Sequence, residues 1–407
     1  MEFIYTLFFL SGIIKVFLIH YNIRTYIDFT AISIILLILY FLFSILKRGI
    51  KTSLNKSYFF SISSLLLFYF WIFISKNYST SASYSFTKAF FFATNVISFV
   101  FPLVFKDFDI KLFVKYVVLF TFFLNIIFYS IYDPIIQINQ QITEISGLYL
   151  SLGIINGLVI VVLFTSKSVF FYKKYLDNII SFVFLALIIF SGARGPILFA
   201  VFSVLLFILY KFILNKIKYN KKVLISIPIV LLIAIPLLLI VYNSQKKVIE
   251  PLLERSIYRL SLLFNSNTNN QDKQSVLSRV SMLDFAMDKI TESPQNFIFG
   301  NGIGSFGYEY TGYDQRAYPH NIFVEILFEL GFVGLLLFLL FLLSIVINFN
   351  SNKLITFFVL LYILLNISKS SSLVDLRVFF SFFALYIITN KNNQYENMSS
   401  DICSSKI

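Results

Sequence analysis

The sequence predicts an all-α polytopic membrane protein with about twelve transmembrane helices and one large outside loop carrying amphipathic helices. Three observations predict it. Apolar residues make up 58% of the chain and charged residues only 13%, with a mean hydropathy of +0.84. The apolar residues fall in runs of about 18–25, the length that crosses a hydrocarbon core about 30 Å thick. One long segment alone, 243–320, interrupts them with polar sequence. Strands of a closed barrel would alternate apolar and polar residues, and these runs do not.

Taken in order, the candidate spans are 3–20, 29–46, 58–75, 86–105, 113–132, 147–165, 179–191, 195–214, 223–242, 321–347, 353–367 and 373–390. The seventh is short and the eleventh marginal. Segment 3–20 lacks both a basic run before it and a small-residue cleavage site, so it is expected as a mature span rather than a signal peptide. The organisation expected is a transmembrane block of about nine helices over 1–242 and a large periplasmic loop over 243–320. C-terminal spans over 321–390 and a disordered cytoplasmic tail over 391–407 complete it. No internal repeat of fixed period is visible.

The net charge of +13 is a topology signal rather than a nucleic-acid footprint. With the amino terminus inside, four cytoplasmic connections hold Lys47, Arg48, Lys51, Lys56, Lys106, Lys111, Lys115, Lys167, Lys173, Lys174, Lys211, Lys216, Lys218, Lys221 and Lys222. The first four outer connections hold Arg24, Lys76 and Arg194. This bias places both termini in the cytoplasm and 243–320 outside. A lone Cys403 gives no disulfide framework, and two histidines argue against a zinc centre, so no metal or cofactor is expected.

Within the loop, KVIEPLLERSIYRLSLLF (247–264) repeats Ile249, Leu252, Leu253, Ile257, Leu260 and Phe264 at helical spacing, with Arg255 and Arg259 on another face. The polar stretch 265–274 breaks that pattern. SRVSMLDFAMDKITESP (278–294) then carries a second apolar stripe of Val280, Leu283, Met287 and Ile290, ended by Pro294. Two such helices are expected to lie at the bilayer surface or to cap the spans. GNGIGSFGYEYTGY (300–313) reads as a flexible link; its glycines lack the flanking strand and helix of a dinucleotide loop.

Five features could carry chemistry. Arg194, in FSGARGPILF, sits between two apolar runs, where a guanidinium costs about 2.5–3.5 kcal/mol on insertion scales and calls for a phosphate or carboxylate partner. The bland alternative is an arginine snorkelling to the headgroups. His320 stands where the loop re-enters the membrane and could exchange a proton near neutral pH. Asn321 is a candidate N-cap for the following span, whose helix end could face an anionic phosphate; the plain alternative for the pair is capping alone. Glu325 and Glu329, four and eight residues beyond Asn321, share one helix face, either to pair with arginine or to place a sugar hydroxyl, with structural pairing the stronger reading. Arg279 and Arg316, and more weakly Arg255 and Arg259, form a cationic set for a lipid pyrophosphate or a solvated stripe. Gly331 and Gly334 read as close-packing positions.

At these residues the chain resembles the O-antigen polymerase and O-antigen ligase family of bacterial envelope enzymes. The resemblance runs from about 185 to 347, through SGARGP, then SRVSMLDFAMDKITESPQNFIFGNGIGSF (278–306), then HNIFVEILFELGFVG (320–334). The first five spans match in hydropathy only. Relatives often carry tryptophan in the arginine-led helix, where this chain has Phe285. The resemblance implies transfer of a glycan from an undecaprenyl-pyrophosphate-linked oligosaccharide to an acceptor glycolipid hydroxyl, at the outer face of the bacterial inner membrane. Arg194, Arg279 and Arg316 would hold the pyrophosphate. His320 would activate the acceptor, with Glu325 or Glu329 placing it. Partners implied are membrane lipid, a chain-length regulator and a flippase. The acceptor is another lipid-linked repeat in a polymerase and lipid A-core in a ligase; the polymerase is favoured by family analogy alone. A lipid-linked oligosaccharide transporter is the non-enzymatic alternative. Such proteins carry repeated halves with helices broken at the membrane midplane, whereas here the polar residues gather toward one face.

Overall fold

A computed structural model describes residues 1–21, 23, 27–48, 56–105, 108–131, 144–166, 169, 174–191, 193–213, 270–349 and 354–389. Every regular element among them is helical. In chain order these are α1 (Glu2–His20), α2 (Phe29–Arg48), α3 (Lys56–Lys76), α4 (Tyr84–Val104), α5 (Ile110–Ile131), α6 (Glu144–Thr165), α7 (Lys174–Ser191) and α8 (Arg194–Ile213). Then follow α9 (Asn270–Thr291), α10 (Pro294–Phe299), α11 (Ser305–Thr311), α12 (Ile322–Ile347), α13 (Leu354–Ser370), a 3-10 turn at Leu373–Asp375 and α14 (Arg377–Thr389).

Eight of these helices are long and apolar enough to cross a membrane: α1 to α6, α8 and α12. The expected seventh, eleventh and twelfth spans form shorter apolar helices, Leu176–Ser191, Thr356–Ser370 and Arg377–Thr389. The expected span 223–242, the loop helix 247–264 with Arg255 and Arg259, and the tail 391–407 lie outside the described residues. The protein is a multi-pass helical membrane protein.

The chain forms two compact units that interleave along the sequence, Met1–Gly49 with Asp109–Asn267, and Ile50–Phe108 with Thr268–Ile407. In the first, α6 packs against α7 and α8 and also meets α1 and α5. Lipid tails are as apolar as these side chains, so packing and interhelical hydrogen bonds replace the hydrophobic drive. Asn125 and Asn156 supply such a bond, exchanging amide contacts at 2.8 and 2.9 Å in a buried position. Gly153 of α6 lets the start of α8 come close: a Cβ there would meet Ala193 Cβ at 2.4 Å.

In the second unit, α3 and α12 pack along each other, with α4 and α14 completing an aromatic core. Phe68, Phe92, Phe99, Phe338, Phe341, Phe380 and Phe383 interlock there with ring centroids 4.7–6.3 Å apart. The stretch 270–320 departs from expectation in three ways. First, α9 begins inside the polar stretch, at Asn270, and ends at Thr291; Pro294 opens α10 behind a Ser293 N-cap rather than merely stopping α9. Second, α9 packs through Met282, Phe285, Ala286 and Ile290, whereas Val280 and Met287 are exposed. Its inner face is chosen by the helices it meets, so the stripe is rotated from the one hydropathy suggests. Third, 300–313 is no flexible link. It is pinned to neighbouring backbone and forms α11 between left-handed Gly304 and Gly312.

Candidate active site

The pinning begins at a break in α12. Gly331 has φ 68 and ψ −172, a backbone region open essentially to glycine alone, so α12 is two helices, 322–330 and 332–347. The break frees carbonyls, and each finds a donor. Asn301 N–H donates to Phe328 O at 2.9 Å, Gly302 N–H to Glu329 O at 2.8 Å, and Trp71 Nε1–H to Leu330 O at 2.9 Å. Gly300 sits against Gly331 in the same glycine-only conformation, φ 77 and ψ −178. A Cβ on Gly300 would lie 2.5 Å from Gly331 N, and one on Gly331 would lie 2.3 Å from Ile298 O. The two glycine motifs seen in the sequence thus close on each other as one lock.

The connection from α3 to α4 meets the same segment. Tyr78 Oη–H donates to Phe299 O and Ser79 Oγ–H to Ile303 O, both at 2.8 Å. Asp314 accepts from Ser81 Oγ at 2.6 Å and from the amide and hydroxyl of Ser83 at 2.7 and 2.9 Å, capping the start of α4. Burial would raise the Asp314 carboxyl, but these hydrogen bonds outweigh it and hold the group down at about 2. The α13–α14 connection joins them: Arg316 Nη2–H donates to Asp375 Oδ2 at 2.6 Å. Three connections of this unit therefore share one face.

At that face α12 begins as expected of a capped helix. The Asn321 side-chain oxygen accepts from the amides of Phe323 and Val324 at 3.0 and 3.3 Å. The amides that a phosphate would use are thereby engaged, so the helix end offers an anion little. Asn321→Ala should cost about 1 kcal/mol of stability, read as a lower thermal midpoint of the purified protein.

His320 precedes the cap at φ 56, the one left-handed non-glycine residue among those described, in a region where histidine is tolerated better than most side chains. Its ring is half-buried and lies 4.5 Å from that of Tyr318, centroid to centroid. Burial first, and the Arg279 charge second, push the imidazole down to about 4. It is therefore a neutral acceptor at neutral pH, not the group titrating near 7 that sequence suggests. Tyr318 is pushed up to about 12, mainly by burial, and keeps its proton.

Arg279 reaches this position because α9 lies on the first half of α12. Ala286, Ile290, Phe306 and Phe328 form a buried cluster, and Phe285 packs on Phe306, Tyr310 and Phe328. Arg279 is one turn before Met282 on that packed side and is exposed where the cluster ends, its charge felt by both His320 and Tyr318. Arg316 is half-exposed and lies over the Tyr318 ring, 5.8 Å from its centroid.

Glu325 and Glu329, read first as structural pairing and second as holding a sugar hydroxyl, are fully buried. Lys88 of α4 donates to Glu325 Oε1 at 2.5 Å and to both oxygens of Glu329 at 2.7 Å. Ser372 Oγ–H and the Leu373 amide fill the remaining sites on Glu325, at 2.7 and 3.1 Å. Structural pairing is what the geometry shows, with a partner the sequence reading did not name. A lone cation one turn inside an apolar run was its only signal. Arg194 opens α8 in the first unit, partly exposed and next to Ala193, which Gly153 admits.

A family model described as O-antigen ligase matches residues 179–339. Over residues 179–339 the chain is similar to that family. The matched stretch spans Arg194, Arg255, Arg259, Arg279, Arg316, His320, Glu325 and Glu329, and it leaves Lys88, Ser372 and Asp375 outside. No match was found among curated proteins. That similarity, together with eight helices able to cross a membrane, supports a membrane enzyme of the O-antigen ligase and polymerase type.

Proposed function

We propose that this protein is a glycosyltransferase of the bacterial inner membrane. It moves a glycan from undecaprenyl pyrophosphate to an acceptor sugar hydroxyl, as a polymerase of O-antigen or a related surface polysaccharide. What carries the reading is the grouping of Arg279, Arg316, Tyr318 and His320 at the start of α12 within the matched domain. The acceptor oxygen attacks sugar C1, the C1–oxygen bond to pyrophosphate breaks, and the carrier leaves as undecaprenyl pyrophosphate. Fixed guanidiniums lower the cost of the charge that develops on the leaving group. Arg279 has that role, with Arg316 held between Asp375 and the donor; Arg194, Arg255 and Arg259 are further candidates by the family resemblance alone. His320, neutral, accepts the acceptor proton. Glu325 and Glu329 act by position, through Lys88. Both termini are cytoplasmic and the loop is periplasmic; a flippase delivers the donor, a chain-length regulator limits the product, and no cofactor takes part.

The description of the matched family favours a second reading, a ligase whose acceptor is lipid A-core. A transporter would use a broken helix to coordinate its substrate. The carbonyls freed at Gly331 are already satisfied internally, which speaks against that role. Deleting the gene and resolving the surface glycan by electrophoresis separates the three. Polymerase loss leaves core with a single repeat, ligase loss leaves bare core while long glycan accumulates on its carrier, and transporter loss traps repeats inside.

The imidazole sets a pH dependence. His320 sits near 4 in the fold against an ordinary 6.5, so it is unprotonated at every pH above about 5. The acid limb of kcat/KM, which reports the free enzyme, should fall near 4 and not near 6.5. The unfolded chain takes up this proton first as pH drops, so stability also declines from about 6.5 toward 4. A kcat/KM profile with a midpoint above about 6 would contradict the assignment of His320 as the proton acceptor.

A further inference from the structure

We infer that Lys88 is a positioning residue for the transfer reaction: it fixes the 322–330 half of α12, and with it His320, independently of the membrane-spanning half. The inference rests on the proposed glycan-transfer reading for its catalytic consequence, though not for its mechanics. Ordinarily the direction of a helix end is inherited from the helix behind it. Here Gly331 cancels that inheritance, because its φ of 68 ends the helical hydrogen-bond ladder. The 322–330 segment must therefore take its orientation from lateral contacts.

Apolar contacts with α9 hold one side through Phe328, Val324 and Leu327. The polar side is held by Lys88 alone among the cations described. Its ammonium meets carboxylates on two successive turns of the segment, and its side chain is 1% exposed. Two contacts four residues apart fix both the tilt and the rotation of a short helix, which a single contact cannot do. The same Glu325 carboxylate receives Ser372 and the Leu373 amide, and Asn95, two turns further along α4, donates to Leu373 O at 2.8 Å. Lys88 thus ties His320, at the start of the segment, to the connection whose Asp375 holds Arg316. The carboxylates outnumber the ammonium, and hydroxyl and amide donors complete the set, so the cluster has no spare donor with which to bind substrate. Its role is to hold.

The test compares wild type, Lys88→Gln and the exchanged pair Lys88→Glu/Glu329→Lys in lipid nanodiscs. Amide hydrogen exchange and steady-state transfer per folded molecule are measured on each. For Lys88→Gln, exchange over 320–330 and 371–376 should quicken at least about tenfold while 332–347 stays protected. Its kcat should fall at least about tenfold with the donor KM within about threefold, since orientation of the acceptor group changes and carrier binding does not. The exchanged pair should recover both protection and kcat. Wild-type exchange over 320–330, equal loosening of 332–347, or an unchanged kcat in a loosened protein each overturns the inference. If Lys88→Gln fails to accumulate, the exchanged pair decides: recovery supports the clamp, and accumulation with 320–330 unprotected overturns it. A loosened 320–330 segment in a protein whose wild type transfers no glycan keeps the clamp and overturns the glycosyltransferase reading instead.

Discussion

Replacing His320 with alanine or asparagine abolishes the surface-glycan ladder while leaving the protein in the membrane at its normal level. The two variants fail for one chemical reason and differ in backbone cost. Position 320 is left-handed, φ 56, where alanine adds about 1 kcal/mol of strain that asparagine largely escapes. His320→Asn therefore keeps the entry into α12 and the Asn321 cap while removing the neutral imidazole proposed as the proton acceptor. General-base removal costs about 10²–10⁴ in rate, which is enough to erase long chains from a gel. Normal ladders from His320→Asn would show that the imidazole is a turn residue with no part in the chemistry.

Gly331→Ala carries the second large effect, on folding. A side chain there must adopt a glycine-only backbone region at a cost of about 1–3 kcal/mol, and its Cβ would lie 2.3 Å from Ile298 O. The neighbour is backbone and cannot swing aside, so overpacking adds about another 1–3 kcal/mol. The expected result is a sharp drop in the thermal midpoint of the detergent-purified protein, with much of it lost during expression. Gly300→Ala should behave alike, and the double variant should lose little more than either single one. Both glycines serve one contact, and changes at one contact do not add. A Gly331→Ala protein as stable as wild type would mean that α12 runs straight.

How much of this was legible in the sequence depends on the reach of each interaction. Eight of the spans were legible because run length alone reports them. Asn321 was legible because its cap uses amides two and three residues away. The placement of Arg279, Arg316 and His320 was legible only through family resemblance; the chain offers no local rule that brings 279 beside 320. Lys88 was not legible: its partners lie 237 and 241 residues on, and hydropathy treats one cation in an apolar run as noise. Gly331 was legible as a close-packing glycine, but not its positive φ, which goes with the close approach of Gly300 and the carbonyl of Ile298. The inner face of α9 was rotated for a related reason. Its partner is the short first half of α12, and the stripe that looks most apolar, Val280 and Met287, is left exposed.

The most direct test of the central claim is reconstitution. Purified protein in nanodiscs is given a synthetic undecaprenyl-pyrophosphate-linked repeat unit, with and without chelator, and the lipid products are resolved by mass spectrometry. The account predicts longer lipid-linked glycan together with free undecaprenyl pyrophosphate, one carrier released per bond formed, from wild type and not from His320→Asn. Unchanged donor in every sample, or donor merely moved across the bilayer with its sugar intact, would contradict it.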